Sequence, residues 1–114
     1  MSTVDRLFGW LLGIGTLGHA TGCWLVYKNK PELLLWSECA TLAGLLLAAI
    51  NLLRVGRSSD STLAWVSFFG CVAWAVVAVA FGRLIGNMLD FRPLLNLIFA
   101  LGLAGFSLRA AVSG

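Results

Sequence analysis

"YKNKPE", residues 27–32, decides how the rest of the chain is read. On either side of it lies a stretch of about 20 mostly apolar residues, the length a helix needs to cross the roughly 30 Å hydrocarbon layer of a bilayer. Pro31 pre-sets the backbone dihedral of a helix start, and Glu32 suits the positive end of the dipole that follows. The hexapeptide therefore reads as a tight reversal between two antiparallel helices.

Working outward, "RVGRSSDS" at residues 54–61 is the most water-loving stretch. Gly56 can terminate the second helix there, and Asp60 or Ser61 can cap the third. Gly86 and Asn87 are stop signals, and Asp90 with Pro93 marks another start. Four apolar segments result, at about residues 7–27, 33–53, 62–85 and 94–112. The chain has 114 residues, of which 60% are hydrophobic and 11% charged, too little polar surface to cover a water-soluble globule. Lipid offers no partners to free backbone N–H and C=O groups, so each segment must close its own hydrogen bonds as a helix. The expected fold is all-α: an integral membrane four-helix up-down bundle with short connections, a single transmembrane domain over residues 1–114. A multi-pass protein of a bacterial-type inner membrane follows.

Arg6 ahead of an apolar run resembles the start of a secretory signal, but Asp5 sits beside it and no Ala-x-Ala pattern follows, so a retained first helix is expected. Cys23, Cys39 and Cys71 are odd in number and fall inside the spans, which argues for thiols rather than a disulfide framework. Lys and Arg counts leave the orientation open: Arg6, Arg54, Arg57 and Arg109 on one face balance Lys28, Lys30, Arg83 and Arg92 on the other. Such a tie suits insertion in both directions, and it also arises by chance. Trp10 and Trp65 fall near one interface and Trp24, Tyr27 and Trp36 near the other, as an aromatic belt requires. Trp74, mid-helix, needs a partner for its indole N–H. No basic patch with interleaved aromatics points to nucleic acid.

Helices in lipid approach closely through small side chains. The first segment offers Gly9, Gly13, Gly15, Gly18 and Gly22; the second Ser37, Thr41, Gly44, Ala48 and Asn51; the third Cys71, Ala75, Ala78 and Gly82; the fourth Ala100, Ala104, Ser107 and Ala111. Each helix thus has a contact face. The first has small residues on more than one side, which anticipates a second contact surface toward another copy or a larger membrane-protein partner.

His19 is the polar residue that asks most of its surroundings, since a charge in mid-span costs several kcal/mol unless paired, wetted or neutral. Counted from a reversal centred near residue 29, His19 is about ten residues deep and Glu38 about nine, so at 1.5 Å per residue they lie within about 2 Å of the same height. Thr16, Cys23 and Thr41 can join them in a polar cluster, with Gly15 and Gly22 letting a neighbouring backbone close around the imidazole. A buried His with a carboxylate supports either a proton-coupled site or an interhelical hydrogen bond that fixes register. Spacing alone also allows His19, Cys23, Glu38 and Cys39 to ligate a metal, but residues 38 and 39 point about 100° apart on a helix, so neither a metal nor another cofactor is expected. One histidine excludes a bis-histidine haem within one chain. Asn51 and Asn96 are placed near helix ends, and Arg83 and Arg109 can snorkel.

Catalytic constellations such as Gly-x-Ser-x-Gly or His-Glu-x-x-His are missing, so no enzyme is expected. Two functions remain. The first is a non-catalytic accessory, stabilising or oligomer-forming subunit of a membrane assembly. The second is a minimal homo-oligomeric transporter or channel with a proton-coupled His19/Glu38 site between the first two helices.

Overall fold

The computed structural model describes residues 2–57, 59–87 and 90–113. Four helices follow one another: α1 (Ser2–Tyr27), α2 (Pro31–Val55), α3 (Ser61–Leu84) and α4 (Phe91–Ser113). No strand occurs among the described residues. The molecule measures 47 × 24 × 21 Å, so the helices run along one axis. Three of them, Pro31–Val55, Ser61–Leu84 and the Pro93–Ser113 part of α4, are long and apolar enough to cross a membrane. The 26-residue α1 is long enough as well, but Asp5, Arg6, His19, three threonines and five glycines dilute its apolar character.

Local chemistry explains the ends. The turn after α1 is closed by the Lys30 N–H donating to the Tyr27 carbonyl at 2.8 Å, and Pro31 opens α2. Asp60 caps α3 by accepting the Leu63 N–H at 2.9 Å, a contact of the kind worth about 1 kcal/mol. Gly86 follows α3 with φ +71°, the left-handed position where the missing Cβ matters. Gly56 follows α2 without needing that freedom, its φ being −80°. Helix α1 begins about five residues earlier than its apolar stretch, because Asp5 is drawn into the interior. The side chain of Arg92, counted above as an interfacial charge, lies outside the described residues.

The helices meet through the small-residue faces. Against α2, Gly9 approaches Leu52 and Gly13 approaches Ala48, an antiparallel register. Cys71, Ala75, Ala78 and Gly82 on α3 are all buried, as are Ala100, Ala104, Ser107 and Ala111 on α4. Packing is tight between α1 and α2 and between α3 and α4; the two hairpins touch more sparingly through α1–α4 and α2–α3. Phe8 of α1 seats its ring on Gly102 of α4, between Phe99 and Phe106. A Cβ at residue 102 would occupy the space of that ring. No α1–α3 backbone approach within 8 Å occurs among the described residues, and this leaves room for a cleft.

Candidate functional site

The polar groups fall into two clusters at opposite ends of the long axis. Towards the turn at residues 28–30, His19 and Glu38 are joined through Thr41. The Thr41 hydroxyl donates to Glu38 Oε1 at 3.0 Å and sits 2.9 Å from His19 Nδ1. A threonine hydroxyl has one proton. Since that proton goes to the carboxylate, Nδ1 must carry the N–H and donate to Thr41, which leaves the lone pair of the neutral ring on Nε2. The Cys23 sulfur stands 3.5 Å from that nitrogen and 3.8 Å from Nδ1, close against the imidazole. Glu38 and Thr41, three apart, share one face of α2, while His19 and Cys23, four apart, share one face of α1.

Thr16 points elsewhere: its hydroxyl donates back to the Leu12 carbonyl at 2.7 Å, and its side chain packs on Gly44. A Cβ at Gly44 would lie 2.7 Å from Thr16 Oγ1 and 3.1 Å from the Trp74 ring, so this glycine is required for close approach. Among the described residues, Gly15, Gly18 and Gly22 pack against no other helix of this chain. Nothing lies within 4 Å of a Cβ built at any of them, and no backbone closes around the imidazole. Bulky side chains, Trp74, Phe81 and Phe99, line the facing wall there.

The result is a cavity of about 690 Å³ between the hairpins, lined by His19, Cys23, Tyr27, Trp74, Asn96 and the three open glycines. It is largely apolar, with a few polar groups converging on it, the usual composition of a small-molecule site. It opens to the outside, as the exposure of His19, Gly18 and Gly22 requires. Trp74 finds the partner its indole needs, donating to Asn96 Oδ1 at 3.2 Å across the cavity wall. Asn96 is therefore committed to the interior.

The opposite end is sealed. Asp5 accepts both Nη1 and Nη2 of Arg54, at 2.7 and 2.6 Å, in a bidentate pair whose side chains are 10% and 3% exposed. Arg54 also donates to Asn51 Oδ1 at 3.0 Å. That oxygen accepts from Ser67 at 2.9 Å as well, and Ser67 shares a 2.7 Å bond with Ser107. The Asn51 amide donates to the Leu47 carbonyl and the Cys71 sulfur. Asn51, Ser67, Cys71 and Ser107 are completely buried, so one carboxamide ties three helices together. Sequence reasoning treated Arg54 as a loop charge and Asn51 as a helix-end residue. The signal was present: Asp5 and Arg54 lie equally far from the reversal near residue 29, as His19 and Glu38 do.

His19, Cys23 and Glu38 each offer a ligand atom, and these atoms all lie within 4.8 Å of one another. Cys39, proposed with them on spacing, is exposed and outside the group, as the 100° offset from Glu38 dictates. Comparison of the chain with protein-family models, with curated proteins and with solved structures finds no match.

Proposed function

We propose that the chain is a non-catalytic, four-span membrane protein that receives a small solute or ion in the cleft between the two hairpins and passes it across the bilayer as a homo-oligomer. One observation carries this reading: the His19 half of the molecule opens into a cavity of about 690 Å³, while the Arg54 half is closed by buried polar bonds. A path open from one side and shut on the other is the resting geometry that alternating access requires. The bilayer setting is supported by large apolar side chains directed outward, among them Leu42, Leu46, Phe69, Val76, Ile98 and Leu101, more apolar surface than water tolerates. Outward-facing Trp10, Trp24 and Trp36 fit the two interfaces. The lower hydropathy of α1 suits a helix that lines a wet cleft.

The test is sidedness. In a chain with its three cysteines replaced by serine, Gly22→Cys in oriented liposomes should react with a membrane-impermeant maleimide from one side only. Ala104→Cys, in the sealed half, and Leu46→Cys, facing lipid, should stay unlabelled. Equal reactivity from both sides, or none at residue 22, refutes the half-open cleft. Flux of protons, potassium and divalent cations into liposomes of the native chain then reads transport, and Gly18→Trp should stop it by filling the cleft. No flux of any probe above protein-free liposomes counts against a transporter.

A second reading has its own support. The open faces of Gly15, Gly18 and Gly22 would let a helix of another membrane protein lie against α1, making the chain an accessory subunit. Extraction from native membrane in mild detergent should then yield a partner in fixed ratio, and recovery of the chain with itself alone excludes that role.

A further inference from the structure

We propose that His19, Cys23 and Glu38 form a site for a borderline divalent transition-metal ion of the zinc type, bound through His19 Nε2, the Cys23 thiolate and the Glu38 carboxylate with one position open to the cleft. This rests on the cleft reading and names its cargo. The geometry is close to what such an ion needs. With bonds of about 2.0–2.3 Å, neighbouring ligand atoms of a tetrahedral site lie roughly 3.5 Å apart. Cys23 Sγ stands 3.5 Å from His19 Nε2 and 3.8 Å from Nδ1, so the sulfur is at the required range and a turn of the imidazole aims the Nε2 lone pair at an ion beside it. One ring nitrogen of His19, the Cys23 sulfur and a Glu38 oxygen all fall within 4.8 Å of one another, so side-chain rotation without backbone movement completes the triangle.

The hydrogen bonds around the site favour an ion further. Metal-bound histidines generally donate their second ring N–H to an outer group that fixes tautomer and ring orientation. Thr41 does this here: it takes the Nδ1–H and is held in turn by Glu38. The lone pair is thereby left on Nε2, the nitrogen beside Cys23. A thiolate and a carboxylate together carry two negative charges, so a divalent ion makes the site neutral, the condition under which charges persist in a poorly solvated place. The mixture of sulfur, imidazole and carboxylate suits zinc-like ions and disfavours magnesium or calcium, which take oxygen ligands. Three protein ligands and an open fourth position distinguish an exchangeable site from a closed structural one, and two of the three, His19 and Cys23, line the cavity.

Cobalt(II), which takes zinc-type sites and reports thiolate ligation through a sulfur-to-metal charge-transfer band, is the probe. The purified full chain in detergent, stripped with chelator, should bind one cobalt per chain with that band, and zinc should displace it. Cys23→Ser should abolish the band and Cys39→Ser should leave it. Glu38→Gln should weaken binding at least tenfold. Thr41→Val should cost about 10- to 100-fold in affinity as an outer-group change, with Thr41→Ser restoring it. Circular dichroism and elution volume show whether each variant is folded; should Cys23→Ser misfold, Cys23→Ala and Glu38→Gln ask the same question. Absence of the band in the native chain, or a band unchanged in a folded Cys23 variant, overturns the proposal. One-sided labelling of Gly22→Cys needs no metal, so labelling without cobalt binding removes the cargo and keeps the cleft, and cobalt binding without labelling does the reverse.

Discussion

Truncating Asp5 to alanine tests the sealed end most directly. In the native chain the carboxylate takes both terminal nitrogens of Arg54, which is 3% exposed. Without Asp5 the guanidinium keeps one acceptor, Asn51 Oδ1, while its Nε already has no partner. Breaking a buried pair from one side generally costs about 3–5 kcal/mol, because the remaining charge stays buried. Asp5 and Arg54 lie within a turn or two of the helix ends, where the arginine has a short path to water, so the lower value of about 3 kcal/mol is expected. That is more than a hundredfold in the folding equilibrium and a large part of a total of about 5–15 kcal/mol. Removing both charges has a different outcome. Asp5→Leu with Arg54→Met keeps the volume and abolishes desolvation, and should fall within about 1 kcal/mol of the native chain or exceed it. The assay is reversible unfolding in mixed micelles against the mole fraction of denaturing detergent, followed by circular dichroism. A loss below about 0.5 kcal/mol for Asp5→Ala, the size of an exposed pair, would refute the claim that this end is dry.

Three further outcomes are expected in the same assay. Gly44→Ala should destabilise by about 1–3 kcal/mol, since its Cβ would collide with Thr16 and press on Trp74, whereas Gly15→Ala should be neutral or stabilising by up to about 1 kcal/mol from helix propensity; the reverse order would mean that the two glycine faces have been misassigned. Asn51→Leu should cost about 2 kcal/mol, since it leaves the Arg54, Ser67 and Ser107 donors short of an acceptor, and a ΔΔG near zero would show that those donors find other partners. Asp60→Ala should cost about 1 kcal/mol through the lost cap of α3, and a smaller loss for Asp60→Asn than for alanine would confirm that an acceptor, rather than charge, is what matters.

Much of the fold was legible because period and rise are fixed properties of a helix. Small residues three and four apart mark a stripe whichever partner covers it, so Cys71 to Gly82 and Ala100 to Ala111 could be assigned as contact faces before any partner was known. Equal depth on either side of a reversal placed His19 level with Glu38. Rotation about the helix axis is a different matter, since one residue turns a side chain by about 100°. It put Thr41 between His19 and Glu38, and turned Thr16 away to the Leu12 carbonyl. The sealed end was missed for a related reason. Arg54 looks like a loop charge until its distance from the turn is matched to that of Asp5, and a charge near a helix end has a ready explanation in water. That no backbone of this chain closes on Gly15 and Gly22 was not legible, because a small residue permits close approach without supplying it. Whether a neighbour comes near depends on the rings across the gap, and their rotation is not written in spacing.

The placement of Phe8 on Gly102 has a mechanical consequence. Together with the bonds of Asn51 to Ser67, Cys71 and Ser107 it gathers aromatic and polar links between the two hairpins at one end of a 47 Å body, so the hairpins behave as a pair of tongs joined near the handle. With a lever arm of about 25 Å, a turn of five degrees moves the far tips by roughly 2 Å, within the range of ordinary helix shifts, with no helix having to break. Substitutions at residues 8 or 102 would then be felt at the mouth, far from where they are made.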